Sequence, residues 1–418
     1  MSEKQLQRIK VVENVAEGRL TIGEAAELLG LSSRQVKRLK QRFDAKNVEW
    51  VYHGNQGRKP ANRIASAVRK RVVQLARGVY VGFNDHHLQE KLAEQENLRL
   101  SRQSVRRILR QAGVASPQRR RARKYRSRRE RREREGMLLL IDGSRHDWLE
   151  GRGPYLTLLG VVDDATGKAP AARFQEGHED TAGYLRMLRG LVEGPGIPLS
   201  LYRDQHGTLQ RNDKHWSLEE QLAGRQLPTQ VGRALEEMGI STITALSPQA
   251  KGRIERAWRT FQDRLVSELR LARAATVEQA NAVLERFLAD YNQKFGKPAR
   301  QPRLAYRTLD RRLDLDYVFS LRYERTVGND HVITAIPGLT IQLPPLANRR
   351  GYAGKTVEAC QQPDGSFRVY LDRRLLHVEP AQPEHGPVRA HPFRKSQAPR
   401  KKKPVRVYRY PGRLARRS

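Results

Sequence analysis

The chain has 418 residues, enough for two to four domains at roughly 100–200 residues each. It contains 80 Lys and Arg against 45 Asp and Glu, and the resulting net charge of +35 calls for a polyanionic partner, nucleic acid first and an anionic membrane surface second. The single cysteine, Cys360, excludes a disulfide framework or a cysteine-based zinc site and fits a reducing compartment. The sequence shows no signal region, no apolar run of about 18 residues and no amphipathic anchor, so we expect no membrane association.

The first hundred or so residues have the apolar spacing of helices. Thr21 is predicted to cap one helix and Ser32 a second, with Gly30 and Leu31 forming the turn between them. The second helix is amphipathic, with Val36, Leu39 and Phe43 on its apolar face and basic residues elsewhere. A short helix, a turn and a basic helix are typical of a helix-turn-helix unit, which we predict over residues 1–56.

The same pattern recurs over residues 61–115, where Asn84 or Asp85 caps one helix and Ser101 caps a basic one. Because the outer faces are basic, we expect both units to bind DNA, although trihelical bundles that pack against protein would have similar apolar faces. The expected contacts in and near the major groove come from Arg34, Lys37, Arg38, Arg102 and Arg106. Arg58 and Lys59, in a segment ending at Pro60, are expected to enter the minor groove.

The remaining chain divides by composition. Residues 116–136 are rich in arginine and are predicted to be a linker or a solvated helix. Residues 137–310 predict the order βββαβαβα, a mixed five-stranded α/β sheet. Residues 311–380 contain short strand-like runs, with a hairpin turn at Pro363–Gly365, and predict a small β-barrel. The basic, proline-rich residues 381–418 are predicted to be disordered.

Three carboxylates stand out in the α/β region. Asp142 and Asp204 are expected to close the first and fourth strands, and Glu255 lies early in the long helix that follows. Functional groups in such sheets collect at the carboxyl ends of strands, so the three side chains are expected to converge. An all-oxygen cluster in a basic protein favours Mg²⁺, with Mn²⁺ as a substitute, and two such ions suit in-line phosphoryl transfer. Lys251 and Arg259 lie four residues on either side of Glu255 and are expected to contact DNA, with a solvated i,i+4 ion-pair ladder as the alternative.

Other polar residues near these strands have simpler interpretations. Asp163 and Asp164 belong to a sequence that favours a turn, although they are the obvious rival carboxylates. Asp147 and Glu150 follow the first strand and could approach the metals, but solvent-facing loop positions are predicted for them. His146 could contact the reacting phosphate, but a loop histidine with satisfied hydrogen bonds is predicted. For His206, two residues after Asp204, a contact with the reacting phosphate and an ordinary loop position stay equally open.

The element order with Asp, Asp and Glu at these places resembles the ribonuclease-H-like core of DDE transposases and retroviral integrases. More narrowly, the segment from Asp142 to Gly153 and the segment from Lys251 to Arg256 resemble the corresponding parts of the ISNCY group of bacterial insertion-sequence transposases, and Tyr291-Asn292 with Pro298 resembles the end of their core. The resemblance covers most of the chain, including the N-terminal helices.

The resemblance implies a function. Asp142, Asp204 and Glu255 would bind two Mg²⁺ ions, and water and then a freed 3′-hydroxyl would attack phosphorus without a covalent protein–DNA intermediate. The helix-turn-helix units would bind the terminal inverted repeats of the element, and the core would join these ends to target DNA. The protein would act as a dimer or larger assembly in the bacterial cytoplasm, at the nucleoid.

Two other classes of protein fit part of the pattern. A non-catalytic, sequence-specific repressor or architectural factor, descended from a transposase, would keep the DNA-binding units, but the intact acidic triad argues against it. A structure-selective nuclease would use the same metal site without joining strands, and the duplicated DNA-binding units argue against that.

Overall fold

The computed structural model describes residues 1–52, 55, 63–117, 129–204, 206–211, 216–245, 251–345, 351–382 and 388–390. These fall into two compact units, Met1–Val73 and Gln74–Ser418. Arg58, Lys59, most of the arginine-rich run and nearly all of the predicted C-terminal tail lie outside the described residues. Within the described part of the chain, no helix is long and apolar enough to cross a membrane.

The first unit is helical. Its elements are α1 (Glu3–Ala16), α2 (Ile22–Leu29), α3 (Ser33–Arg42), a short 3₁₀ helix (Val48–Val51) and the start of α4 (Ser66–Arg77). The predicted caps are confirmed, because Thr21 accepts a hydrogen bond from the Glu24 amide and Ser32 from the Gln35 amide. Gly30 ends α2 with φ +60°, a left-handed conformation that favours glycine. The apolar faces bury Val36 and Leu39, which leaves the basic face of α3 to solvent.

The second unit begins with the rest of α4, followed by α5 (Asp85–Glu94) and α6 (Arg102–Gln111). Asn84 caps α5 by accepting hydrogen bonds from two amides, and Ser101 caps α6. Helix α6 buries three apolar side chains and exposes three arginines: Arg102, Arg106 and Arg107.

A mixed five-stranded sheet follows, as predicted. Its strands are β1 (Leu139–His146), β2 (Leu156–Asp163), β3 (Ala171–Glu176), β4 (Ser200–Arg203) and β5 (Ser241–Thr244), in the spatial order β3-β2-β1-β4-β5. Strand β2 is antiparallel to both of its neighbours, β1 and β3, whereas β4 is parallel to both β1 and β5. Helices α7 (Thr181–Glu193) and α9 (Gln230–Glu237) pack with one face, and α10 (Gly252–Leu271) and α11 (Val277–Phe295) with the other. The short helix α8 (Leu218–Ala223) lies between β4 and α9.

Successive side chains of β1 point to opposite faces of the sheet, so the strand contributes to two separate hydrophobic cores. Leu139 and Ile141 pack with α7 and α9, and Leu140 packs with α10 and α11. The prediction that the first strand ends at Asp142 was wrong, since β1 pairs with β2 through to His146. Asp142 is therefore a residue within a strand.

The described residues of the C-terminal region form open sheets rather than the predicted β-barrel. After α12 (Leu315–Val318) come β6 (Leu321–Thr326), β7 (Val332–Ile336), β8 (Leu339–Gln342), β9 (Thr356–Gln361), β10 (Phe367–Leu371) and β11 (Arg374–Glu379). Among the described residues these form a four-stranded sheet, β11-β10-β9-β6, and a separate pair, β7-β8. Because β11 and β6 are opposite edges that do not pair, the sheet stays open. The hairpin turn predicted at Pro363–Gly365 joins β9 to β10, with Gly365 at φ +95°.

Candidate active site

Asp142 and Asp204 lie at equivalent positions on two neighbouring parallel strands. In the register of β1 with β4, Leu140 is opposite Tyr202, and each aspartate comes two residues later. Strand β4 ends at Arg203, so Asp204 is the first residue beyond it. Since side chains alternate along a strand, equal offsets put both carboxylates on the same side of the sheet. The register of β1 with β4 therefore brings the two side chains together, as predicted.

The two carboxylates share one cation, the ammonium of Lys251. Lys251 Nζ lies 2.8 Å from Asp142 Oδ1 and 2.9 Å from Asp204 Oδ2. The lysine side chain is 10% exposed, against 21% for Asp142 and 43% for Asp204. Lys251 is the N-cap residue of α10 rather than part of the helix, which lets its side chain turn toward the sheet. The prediction that Lys251 lies on one face of the helix with Glu255 was therefore wrong, because Lys251 is buried beside the aspartates and Glu255 is exposed.

The surroundings raise the pKa of Asp142 and lower the pKa of Asp204. Burial raises the pKa of Asp142, and the negative charges of Asp204 and Glu179 add to this against the opposing charge of Lys251. Burial also acts on the less enclosed Asp204, but the hydrogen bond and charge of Lys251 outweigh it and lower the pKa of Asp204. The site thus stabilises a positive charge between two carboxylates of unequal basicity.

A third carboxylate beside this pair was missed in the sequence. Glu179 lies between β3 and α7, and a Cβ atom at Gly143 would lie 2.7 Å from Glu179 Oε2. Tyr184 donates a hydrogen bond to Glu179, and His206 Nε2 lies 3.4 Å from Glu179 Oε1. His206 also donates its backbone amide to Asp204 Oδ1 at 3.1 Å. Glu179 therefore belongs to the same neighbourhood as the two aspartates.

Glu255 does not join the aspartates in this structure. Its side chain is exposed, and within the described ranges it makes no hydrogen bond or ion pair. The described residues contain no group of three acidic, histidine or cysteine side chains close enough to hold a metal ion. Arg259 is exposed as well, and no ion pair joins it to Glu255, so the i,i+4 ladder is absent from this part of α10.

The rival carboxylates have structural partners. Asp163 is fully buried and accepts hydrogen bonds from the amides of Gly136 and Thr166 and from the Thr166 hydroxyl. Asp164, also fully buried, binds Arg129 and Arg253. These contacts confirm the turn interpretation.

The loop residues predicted after β1 are also accounted for. Asp147 Oδ1 accepts a hydrogen bond from the Gly151 amide at 3.1 Å, and Glu150 pairs with Arg152 and Arg270. The loop position predicted for His146 was wrong, because His146 is the last residue of β1, and it packs edge-on against the Trp148 ring. None of the three lies among the groups around Lys251.

The donor set around Lys251 fits a hard cation. Oxygens of two carboxylates meet at a point where an ammonium group is already held, so this position favours positive charge. Glu179 and Glu255 are the further carboxylates from which a metal ion could draw additional ligands.

Comparison with known proteins agrees with this organisation. Residues 7–60 match a family model described as a helix-turn-helix domain. The putative transposase y4bF of Sinorhizobium fredii (strain NBRC 101917 / NGR234) is 38% identical over 392 residues, which span 90% of this chain and 84% of that protein. The transposase for insertion sequence IS1202 of Streptococcus pneumoniae is 29% identical over 330 residues, 69% of this chain and 68% of that protein.

Among solved structures, a chain of the simian T-cell lymphotropic virus intasome in complex with PP2A regulatory subunit B56 gamma, determined by cryo-EM, aligns over 74% of this chain and 96% of its own length. The TM-score is 0.31 and the identity 15%. On the extent and identity of the sequence matches, the chain belongs to the insertion-sequence transposases.

Proposed function

We propose that the chain is a DDE transposase with a ribonuclease-H-like catalytic core, which cleaves DNA at the ends of its own insertion sequence and transfers the freed strands to target DNA. The observation that carries this proposal is the meeting of Asp142 and Asp204 around one cation, where β4 ends beside β1. The strand order β3-β2-β1-β4-β5, with only β2 antiparallel to the rest, supports it.

In this proposal, Asp142 and Asp204 hold the metal, and Glu255 completes the site once DNA is bound. Two Mg²⁺ ions would activate the attacking hydroxyl and neutralise charge on the phosphate. The protein supplies carboxylates held in register by the sheet, and exposed arginines on α10 bind the phosphates that flank the reacting one. Arg256 and Arg259 are exposed on the same stretch of the helix as Glu255 and suit that task.

Sequence recognition is assigned to the basic helices. Helix α3 exposes Arg34, Lys37 and Arg38, and α6 exposes Arg102 and Arg106. Both follow a short capped helix, as recognition helices do. The two units would bind the terminal inverted repeats, and handling two ends together would require a dimer or a larger assembly on DNA.

The test is a cleavage reaction with the purified chain, DNA from the flanks of its own gene, and Mg²⁺, beside an Asp204→Ala variant. We expect defined nicks at inverted repeats that the variant does not make. Footprints at those repeats without cleavage, in Mg²⁺ or Mn²⁺, would contradict the catalytic proposal and favour a DNA-binding repressor. Nicks without strand joining to a target duplex would instead favour a nuclease.

A further inference from the structure

Lys251 fills the point at which the proposed function, on which this inference rests, needs a metal ion. Its ammonium lies within 3 Å of both aspartates, at 2.8 Å and 2.9 Å. Within the described ranges, no other cationic side chain forms an ion pair with Asp142 or Asp204. Lys251 is thus the cation that pairs with both carboxylates in the described part of the chain.

We propose that Lys251 is an internal counter-ion that a divalent metal must displace, and that DNA binding promotes the displacement. A lysine ammonium and a metal ion cannot both sit between two carboxylates without strong repulsion, because the two positive charges would lie only a few ångströms apart beside the largely buried Asp142. The free protein then binds metal weakly, in proportion to the small fraction of molecules in which Lys251 has left the aspartates.

The lysine can leave without a change of fold. It precedes the first residue of α10. Its ammonium is carried on a flexible four-carbon chain, so it can move by several ångströms while the backbone stays in place. What the ammonium needs on leaving is another anion, because it is otherwise a desolvated charge without a partner.

A DNA phosphate at the active site supplies that anion. Binding of the scissile strand would draw Lys251 from the aspartates to the phosphate and open the metal position in the same step. Metal affinity and DNA affinity then raise each other, as linkage requires. The arrangement restricts the metal-loaded state to molecules that already hold DNA.

The test measures Mn²⁺ binding to the full-length protein without DNA, by titration calorimetry and by electron paramagnetic resonance. Lys251→Met should bind Mn²⁺ at least about tenfold more tightly than the wild type, because the competing cation is gone. Lys251→Arg, which keeps the charge, should behave like the wild type. The matched control is Arg286→Met, which removes one exposed positive charge from α11 and has no part in the proposed DNA or metal contacts.

Two further measurements complete the design. Adding a short duplex from the flank of the gene should raise the Mn²⁺ affinity of the wild type far more than that of Lys251→Met. The double variant Asp142→Asn with Lys251→Met should lose the tight site. If circular dichroism shows that Lys251→Met is unfolded, Lys251→Gln serves for the same comparison.

The outcomes separate this inference from the proposed function. Equal Mn²⁺ affinity in the wild type and Lys251→Met, with binding lost in Asp142→Asn, would overturn the inference and leave the catalytic metal site in place. Absence of Asp142-dependent Mn²⁺ binding in every variant, with and without DNA, would overturn both.

Discussion

Arg264 of α10 donates a hydrogen bond to Glu90 of α5 at 2.8 Å, and the two side chains are only 7% and 14% exposed. Lys294 of α11 reaches the same carboxylate at 3.1 Å. A second buried contact joins His87 of α5 to Glu268 of α10 at 2.6 Å. Ion pairs between largely buried side chains thus hold the second predicted helix-turn-helix unit against α10, the helix that carries Glu255.

This contact predicts a pH dependence of stability. Burial alone would raise the pKa of Glu90, but the hydrogen bonds and charges of Arg264 and Lys294 lower it from 4.5 to about 2. A carboxyl with a depressed pKa in the folded state stabilises the fold above its unfolded pKa and loses that contribution as the pH falls toward the folded value. Glu90→Gln should therefore reduce the free energy of unfolding at pH 6 by on the order of 2–3 kcal/mol, and by progressively less as the pH falls from 4.5 toward 2.

Chemical denaturation of both proteins between pH 6 and pH 3 checks this expectation. The matched control is Glu285→Gln, which changes an exposed glutamate on α11 and should leave the unfolding curve unchanged. A difference between wild type and Glu90→Gln that stays constant over the whole pH range would show that Glu90 is not held as an ionised group.

Asp164 is expected to matter for folding and not for chemistry. It is fully buried, and besides Arg129 and Arg253 it accepts the Arg132 backbone amide at 2.8 Å. Asp164→Asn leaves two arginines facing a neutral group, so the free energy of unfolding should fall by about 2–4 kcal/mol. Thermal and urea denaturation measure the loss, and Asp290→Asn, an exposed position on α11, is the control. Folded Asp164→Asn protein that fails to cleave although it still binds DNA ends would make Asp164 a functional residue instead.

The sequence predicts some parts of this site and not others, for physical reasons. Asp142 and Asp204 follow apolar runs, which locate the two strands. The prediction relied on strand ends, whereas the parallel register of β1 with β4 brings the aspartates together, since Asp142 lies inside β1. Glu179 could be found only from the sheet order, because β3 joins the same edge through two antiparallel pairings. The position of Lys251 depends on α10 beginning at Gly252 rather than earlier, a boundary that spacing alone does not fix.

The C-terminal sheets show in the same way that local sequence patterns predict strands and turns but not how distant strands pair. The turn at Pro363–Gly365 and the runs that form β7, β8, β9 and β10 are local signals and were predicted correctly, whereas β6 and β11 were not predicted. Closure into a barrel depends on whether the first and last strands pair, which is a relationship between β6 and β11 that no local pattern encodes.

The basic face of α3 is expected to contribute to DNA affinity through phosphate contacts and base contacts. Replacing Arg34, Lys37 and Arg38 together by alanine should abolish preference for the inverted repeats and reduce the slope of log K against log salt by about 2–3, since each phosphate contact contributes roughly 0.9. Fluorescence anisotropy with specific and scrambled duplexes, at several salt concentrations, measures both effects.

The control for this variant removes the same charge elsewhere. Lys297, Arg303 and Arg311 are exposed in the second unit, outside both predicted DNA-binding units. Their triple alanine variant should keep the preference for the inverted repeats. If the α3 variant and this control lose affinity equally and without loss of preference, α3 is not the recognition helix.

Glu255 is expected to be essential for cleavage even though it is exposed and apart from the aspartates in this structure. In the proposed site it becomes a metal ligand only when DNA is bound, so Glu255→Gln should lower the cleavage rate by at least about 100-fold, roughly 3 kcal/mol of transition-state stabilisation, with nearly unchanged end binding. Single-turnover cleavage and anisotropy measure the two quantities, and Glu285→Gln again serves as the exposed control.

The same assay on Glu179→Gln distinguishes the two candidates for the third metal ligand, Glu179 and Glu255. It already lies beside Asp142 and contacts His206, whereas Glu255 must be brought in. If Glu255→Gln still cleaves and Glu179→Gln does not, the third ligand comes from the segment between β3 and α7, and the assignment of Glu255 fails. If Glu255→Gln is inactive and Glu179→Gln is only slowed, Glu179 has a positioning role, which it exerts through the His206 imidazole next to Asp204.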